Sequence, residues 1–155
     1  MALVDRDQAT RDLTHASLDG LTGASTRAAG ALELQREMNR ARRTGEPLVV
    51  VVLDVVGLKS INDAGGHAAG DRVLVRVVQG VRAQLRPYDL VVRYGGDEFV
   101  CVLANTRLED ATAWRHRLDT ALLPDHVTVG LAALQDDDDI ETLLLRADGD
   151  LYRQR

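Results

Sequence analysis

A run of aliphatic residues from Leu48 to Leu53 is the feature that most constrains how this chain can fold. Its β-branched side chains favour extended backbone. Because no polar residue alternates with them, the run predicts a strand that is buried on both faces. The chain has 155 residues, of which 45% are hydrophobic, and this is enough for one domain with a substantial core.

A carboxylate follows this run directly. Asp54 lies in the same predicted strand, just before Val55 and Val56. A buried carboxylate costs free energy unless it is paired, hydrogen-bonded or bound to a metal. Two interpretations stay open, an acid that caps the next helix and an acid that serves a site. The segment that follows, Gly57–Asp71, is rich in glycine, amide, carboxylate and lysine groups, which is typical of a loop and helix start that binds an anion.

A second acidic segment lies between two other apolar runs. Gly95 and Gly96 separate these runs and predict a β-hairpin with a two-residue turn, in which both glycines adopt positive φ. Asp97 and Glu98 follow at once, and adjacent carboxylates at a turn repel each other. A solvated acidic turn is the alternative. If the hairpin lies beside the Asp54 strand, at a spacing of about 4.8 Å, Asp54 and Asp97 converge on a site that suits Mg²⁺.

The remaining elements follow from periodicity and from turn residues. Apolar residues at helical spacing predict helices within residues 26–43, 73–85, 108–122 and 140–151, the first with the stripe Ala31, Leu34, Met38 and Ala41. His126–Leu131 alternates as a strand, and Asp136–Asp139 predicts a solvated loop at a helix N-terminus. Residues 1–18 predict a linker or lead-in helix. The resulting order, α-β-α-β-β-α-β-α, predicts an α+β fold with helices layered on a sheet.

Composition narrows the class of function. The net charge of −5 argues against nucleic-acid binding, which favours a basic face, but is compatible with a small anionic ligand. No apolar run approaches the length of a membrane span, so we expect no membrane contact by this chain. Cys101 is the only cysteine, which favours a reducing, cytoplasmic setting and a role as a small core residue.

Four motifs follow one another along the chain. They are Asp19–Gly23 with Arg27, a block of Asp54, Lys59, Asn62, Asp63, Gly66, His67, Gly70 and Asp71, the pentapeptide Gly95–Phe99, and the dipeptides Ala147-Asp148 and Leu151-Tyr152. In this order and spacing they resemble the GGDEF domain family, the catalytic module of diguanylate cyclases. The resemblance covers residues 19–155. It implies a palm-like fold of the nucleotidyl cyclase type, a central antiparallel sheet flanked by helices.

The resemblance also implies a reaction. In this family the 3′-hydroxyl of one GTP attacks the α-phosphate of another, and two such steps yield cyclic di-GMP and pyrophosphate. Each domain holds one GTP, so a homodimer is needed for catalysis. Mg²⁺ is the implied cofactor, with Mn²⁺ as a substitute, and a longer protein with sensory domains is the implied setting.

Site residues are carried over by motif. The metal ligands would be Asp54, the carbonyl of Val55, Asp97 and Glu98, and Glu98 could also help to ionise the 3′-hydroxyl. The residues that would bind substrate are Asn62 and Asp71 at the guanine, Lys59 and Arg155 at the triphosphate, the backbone of Val56, Gly57 and Leu58 as a phosphate cradle, and Gly95 and Gly96 beside the acids.

The resemblance also implies an inhibitory site, and the chain departs from the family pattern at two places. Arg86 and Asp89 match the family's R-x-x-D site for cyclic di-GMP, with a helix-terminating Arg86-Pro87 and a local Arg–Asp pair as the alternative. Val56 stands where the family has a second acid. After Arg155 the family has a G-R-N tail, so we expect a trimmed C-terminus. These departures leave open a second function, a non-catalytic GGDEF module that binds cyclic di-GMP or GTP as a regulatory receptor.

Overall fold

The computed structural model describes residues 17–155. The elements in this part of the chain are α1 (Arg27–Thr44), β1 (Leu48–Val55), α2 (Leu58–Gly65), α3 (His67–Ala83), β2 (Leu90–Arg93), β3 (Glu98–Ala104), α4 (Leu108–Leu122), β4 (Val127–Ala133) and α5 (Ile140–Gln154). Most of the segment predicted as a linker or lead-in helix, residues 1–16, lies outside the described residues. Among the helices described, none has the length and hydropathy that crossing a membrane requires.

The four strands form one antiparallel sheet in the order β2-β3-β1-β4. The β1 strand is central, and each residue from Leu48 to Leu53 is at most 2% exposed. The predicted doubly buried strand is therefore confirmed, as is the α+β class with an antiparallel sheet flanked by helices.

Helices cover both faces of this sheet. Val49, Val51 and Leu53 of β1 belong to the core that includes α3 and α4. Val50 and Val52 belong to the core that includes α1 and α5. Because side chains alternate along a strand, the next even-numbered position points toward the α1 and α5 side. This alternation places the carboxylate that follows Leu53 next to α5.

The first helix matches its prediction closely. Thr26 caps α1 by accepting the Ala29 N–H, and Gly45 ends it at φ 73°. One stripe position was wrong, because Ala31 is exposed and Gly30 is buried instead. A Cβ at residue 30 would lie 2.3 Å from the Val92 side chain, so only glycine allows this close approach of α1 to β2.

An additional helix separates β1 from the long helix α3. The sequence predicted a loop and a helix start here, whereas the chain forms α2 between Gly57 and Gly66. Both glycines have φ in the left-handed region, 75° and 79°, where L-residues are disfavoured. The two glycines thus cap the two ends of α2, which begins shortly after the end of β1.

The acidic run before α5 is only partly solvated. Asp136 and Asp137 are exposed as predicted, but Asp138 is 8% exposed and accepts hydrogen bonds from Arg146 and from the Gln135 N–H. The Arg146 bonds hold the pKa of Asp138 at about 2, against the opposing effect of burial. These bonds fix the first turns of α5, the helix whose far end reaches the acidic strand end.

Cys101 lies in β3 and is fully buried. Burial raises the pKa of its thiol to about 12, so it stays protonated at neutral pH. Its prediction as a small core residue is confirmed.

Candidate active site

Two carboxylates face each other across the central strands. In the β1–β3 register Asp54 lies opposite Glu98, so the alternation of side chains puts both on the α1 and α5 face. The sequence led us to expect Asp97 as the partner across the strands. Since β3 begins at Glu98, Asp97 stays in the connecting loop, where its carbonyl accepts the Val55 N–H at 3.0 Å. The site is thus a cross-strand acid pair with a third acid beside it.

The loop that carries this third acid differs from the predicted turn. It spans four residues, 94–97, and the N–H groups of Tyr94 and Gly95 both donate to the Glu98 carbonyl, at 2.8 and 3.1 Å. Neither Gly95 nor Gly96 has φ in the left-handed region, so the two-residue turn prediction was wrong. A four-residue loop closes the hairpin without that backbone conformation. Instead the glycines leave space, since a Cβ at Gly96 would have no atom within 4 Å.

Burial and the closeness of several carboxylates raise the pKa of two acids in this site. Burial raises the pKa of Asp54, and repulsion from Asp97 adds to it. Burial likewise raises the pKa of Glu98, with further repulsion from Asp54, Asp148 and Asp97. Arg155 donates a hydrogen bond to Asp54 Oδ2 and partly offsets the effect. A cation bound among these carboxylates would relieve both desolvation and repulsion.

Asp148, on α5, was not among the site residues predicted from the sequence. Asp148 lines a cleft of about 530 Å³ together with Glu98, Arg27 and Tyr94. The Arg27 guanidinium stacks over the Tyr94 ring at 4.1 Å from its centroid. Arg27 and Asp148 both occur in the recognised motifs, and that was the available signal, but no role was assigned to either.

The start of α2 lies directly after the Asp54 strand end. Gly57 is its N-cap residue and makes no side-chain cap hydrogen bond. The N–H groups in the first turn of a helix have no acceptor within the helix, which leaves those of Leu58 and its neighbours for a ligand. Val56 does not fit the predicted cradle, because its N–H already donates to the His126 carbonyl at 2.9 Å. Lys59 is exposed on α2.

The pair predicted to bind guanine lies on two different helices. Asn62 lies on α2, and its Oδ1 is the one buried side-chain N or O atom within residues 17–155 that lacks a hydrogen-bond partner. Gly70 on α3 lies against it so closely that a Cβ there would be 2.0 Å from Oδ1. Asp71 follows on α3 and is exposed. The close approach at Gly70 therefore determines where the Asn62 amide can lie.

A basic residue connects the opening motif to the glycine loop. Arg93 Nη1 lies 3.2 Å from both carboxylate oxygens of Asp19, and its Nη2 donates to the Gly96 carbonyl at 2.9 Å. Asp19 also accepts from the Thr22 N–H and hydroxyl, and its pKa is lowered by these bonds and by Arg93 despite the opposing effect of burial. Arg93 was not among the predicted site residues, because its carboxylate partner, Asp19, lies 74 positions away in the sequence.

The predicted inhibitory residues contact each other. Asp89 is 3% exposed at its side chain and accepts hydrogen bonds from Arg86 and from the Ala104 N–H. Arg86 also donates to Thr106 Oγ1 at 2.8 Å. The local Arg–Asp pair that the sequence left open is therefore present. It does not end a helix, since α3 stops at Ala83.

The donor set around Asp54 fits a hard divalent cation that keeps other ligands. Asp54, Asp97 and Glu98 supply carboxylate oxygens, the ligand type that Mg²⁺ prefers. Across residues 17–155, no three Asp, Glu, His or Cys side chains converge closely enough to enclose a metal ion by themselves. Water and substrate phosphates would have to complete the coordination, which is how Mg²⁺ usually binds in phosphoryl-transfer sites.

Comparisons with known proteins identify the family. The profile of the family described as diguanylate cyclase, GGDEF domain, matches residues 16–155. The diguanylate cyclase DgcP of Pseudomonas aeruginosa is 37% identical over 160 residues, which cover 96% of this chain and 23% of DgcP. The diguanylate cyclase DosC of Escherichia coli is 38% identical over 130 residues, which cover 76% of this chain and 28% of DosC. The chain thus spans about a quarter of the length of these relatives.

Solved structures agree with this assignment. A microbial GGDEF domain studied for its interaction with cyclic di-GMP has a TM-score of 0.84 and 37% identity, with 92% of each chain covered. The diguanylate cyclase SiaD of Pseudomonas aeruginosa, solved with its activator SiaC, has a TM-score of 0.84 and 33% identity over 96% of this chain and 63% of SiaD. The antiparallel sheet with its flanking helices is accordingly the palm-like fold of nucleotidyl cyclases. With its signature pentapeptide in the loop between β2 and β3 and at the start of β3, the chain belongs to the GGDEF domain family.

Proposed function

We propose that this chain is the catalytic domain of a diguanylate cyclase, which condenses two GTP molecules into cyclic di-GMP and releases pyrophosphate. The observation that carries the proposal is the Asp54–Glu98 pair across β1 and β3, with Asp97 in the open glycine loop beside it. Relatives that bear the name diguanylate cyclase support it. The alternative of a non-catalytic receptor rests on Val56 in place of the family's second acid, and the acids at 54, 97 and 98 argue against it.

Neighbouring groups would bind the metal and accept the proton of the 3′-hydroxyl. Asp54, Asp97 and the Val55 carbonyl would hold Mg²⁺ or Mn²⁺, with Glu98 within the same acidic cluster. When bound, the divalent metal would neutralise phosphate charge and favour ionisation of the attacking hydroxyl. Glu98 is suited to accept the 3′-hydroxyl proton, because burial and repulsion raise its pKa and make it a stronger base.

The nucleotide would lie across the start of α2. The N–H groups of Gly57 and Leu58, with Lys59 and Arg155, would contact the triphosphate. Asn62 and Asp71 would read guanine, whose N1–H and N2–H₂ donors match carboxylate and amide oxygens. The buried, unpaired Oδ1 of Asn62 supports this part of the proposal, since a ligand donor would offset the cost of leaving it unpaired.

We also propose that the chain acts as a homodimer and is inhibited by its product. One GTP per domain requires two chains to face each other, so we propose a catalytic homodimer within a longer, sensor-linked cytoplasmic protein. Product inhibition through Arg86 and Asp89 would require the existing pair to exchange partners, because Asp89 is nearly inaccessible. The Arg86 side chain, at 40% exposure, is the accessible half of that site.

The decisive assay is incubation of the chain with GTP and Mg²⁺, followed by chromatographic separation of the products. We expect cyclic di-GMP and pyrophosphate in the presence of Mg²⁺ and neither in the presence of EDTA. The assay should be repeated over a range of protein concentrations, because a dimeric catalyst gives a rate that rises faster than linearly. Binding of GTP without any product at high protein concentration would contradict the proposal and favour the receptor function.

Substitution of Gly70 by alanine tests the guanine site. The added Cβ would meet the Asn62 amide at 2.0 Å and displace it, so we expect GTP affinity to fall about tenfold, as for the loss of one or two hydrogen bonds. Binding of a fluorescent GTP analogue measures this. In a double-mutant cycle, Gly70→Ala should add little to Asn62→Ala, because both act on the same amide. Additive losses would show that Gly70 acts independently of Asn62.

A further inference from the structure

We propose that Arg155 serves as the counter-ion of Asp54 in the nucleotide-free domain and yields this carboxylate to the divalent metal. The inference rests on the metal role proposed for Asp54. It assigns Arg155 two successive partners, first the carboxylate and then the triphosphate, where the sequence motif suggests only the second.

The contact joins two segments that are far apart in the sequence. Arg155 follows α5, and its Nη2 donates to Asp54 Oδ2 at the end of β1, 101 positions away in the sequence. Within residues 17–155 it is the one basic side chain that forms an ion pair with Asp54. The carboxylates of Asp97 and Asp148 repel Asp54 from the same neighbourhood. Arg155 therefore supplies positive charge where the acids crowd together.

The geometry of this pair makes it exchangeable. The Arg155 side chain is 54% exposed and that of Asp54 is 23% exposed, so water screens the attraction. One Nη2–Oδ2 hydrogen bond joins them, not the two parallel bonds of a bidentate pair. Such a contact can neutralise the carboxylate while no metal is bound and can still be broken at little cost.

Arginine and metal cannot share this carboxylate comfortably. A guanidinium has only donors and cannot ligate a cation, and its positive charge repels a divalent ion placed a few ångströms away. A metal bound to Asp54 would therefore expel Arg155. The expelled guanidinium has an acceptor available, because the triphosphate that accompanies the metal offers the oxygen pairs that arginine binds well. The exchange gives Asp54 and Arg155 each a partner of opposite charge before and after nucleotide binding.

Metal binding in the absence of nucleotide tests the exchange. Arg155→Gln removes the competing charge, so we expect Mn²⁺ to bind about twofold to fivefold more tightly, a range that matches loss of a screened ion pair. Electron paramagnetic resonance of free Mn²⁺ measures this directly. Arg153→Gln is the matched control, because it removes the same charge two positions earlier, in the last turn of α5, but its partner is Asp150. It should leave Mn²⁺ affinity unchanged.

The outcomes separate this inference from the proposed function. Equal tightening by Arg153→Gln, or unchanged or weaker Mn²⁺ binding by Arg155→Gln, would overturn the exchange. If Asp54→Asn weakens Mn²⁺ binding while Arg155→Gln does not strengthen it, only the exchange fails. If Asp54→Asn leaves Mn²⁺ binding unchanged, the metal role of Asp54 fails too. Tighter Mn²⁺ binding by Arg155→Gln that disappears in the Asp54→Asn background would support the inference.

Discussion

Substitution of Asp54 by asparagine should abolish cyclic di-GMP formation while leaving the fold intact. The change keeps the side-chain shape at the end of β1 but removes the charge that would hold the metal opposite Glu98. Without the metal to stabilise phosphate charge, the activation free energy should rise by several kcal/mol. We therefore expect the rate to fall about a thousandfold or more. Initial rates of pyrophosphate release at saturating GTP and Mg²⁺ measure the effect.

The stability of Asp54→Asn at pH 7 should equal or exceed that of the parent, although its activity falls. The pKa of Asp54 is raised mainly by burial, so its charged form is disfavoured in the folded state. A group with a raised carboxyl pKa costs stability above that pKa, and the cost disappears as the pH falls toward the ordinary value of 3.8. Asp54→Asn should therefore unfold in urea at an equal or higher denaturant concentration at pH 7. The difference should shrink on acidification.

The control for this experiment is Asp119→Asn. Asp119 lies exposed on α4, which covers the other face of the sheet, so its loss should change neither the rate nor the stability appreciably. Substantial cyclase activity in Asp54→Asn would contradict the proposed metal site. A large loss of stability in the same variant would instead show that the carboxylate holds β1 in place.

Local patterns in the sequence predicted the elements well but not the pairing of acids. The aliphatic run located β1 and its acid, because burial on both faces leaves an unambiguous signal. Whether Asp97 or Glu98 faces Asp54 depends on the residue at which β3 begins, and a shift of one residue moves a side chain to the other face. The sequence pattern around two adjacent glycines does not determine that boundary.

Contacts between segments that are far apart in the sequence could not be predicted either. The Arg86–Asp89 pair is local, and the sequence could name it as an alternative. The Arg93–Asp19 and Arg155–Asp54 contacts join residues 74 and 101 positions apart. Their existence depends on how the opening loop and α5 cross the sheet, and periodicity carries no information on that.

Substitution of Gly130 by alanine should destabilise the domain strongly. Gly130 lies in β4, and a Cβ there would be 2.1 Å from the Ala147 carbonyl oxygen and 2.4 Å from the Leu151 nitrogen. Both are backbone atoms of α5, so no side-chain rotation can relieve the clash. We expect the free energy of unfolding to fall by about 3 kcal/mol or more, at the upper end of overpacking effects. Urea denaturation at pH 7 measures it.

Gly149→Ala provides the contrasting control on α5, the helix against which Gly130 packs. A Cβ at residue 149 would meet only the Arg153 guanidinium, at 3.7 Å, an ordinary contact with a flexible side chain. Alanine in a helix interior is favoured over glycine by about 0.5–1 kcal/mol, so this variant should be more stable than the parent. Because α5 carries both Asp148 and Arg155 to the acidic site, Gly130→Ala should also lower Mn²⁺ and GTP binding in whatever fraction remains folded. A stable Gly130→Ala variant with normal binding would mean that α5 can move away from β4 without disturbing the site.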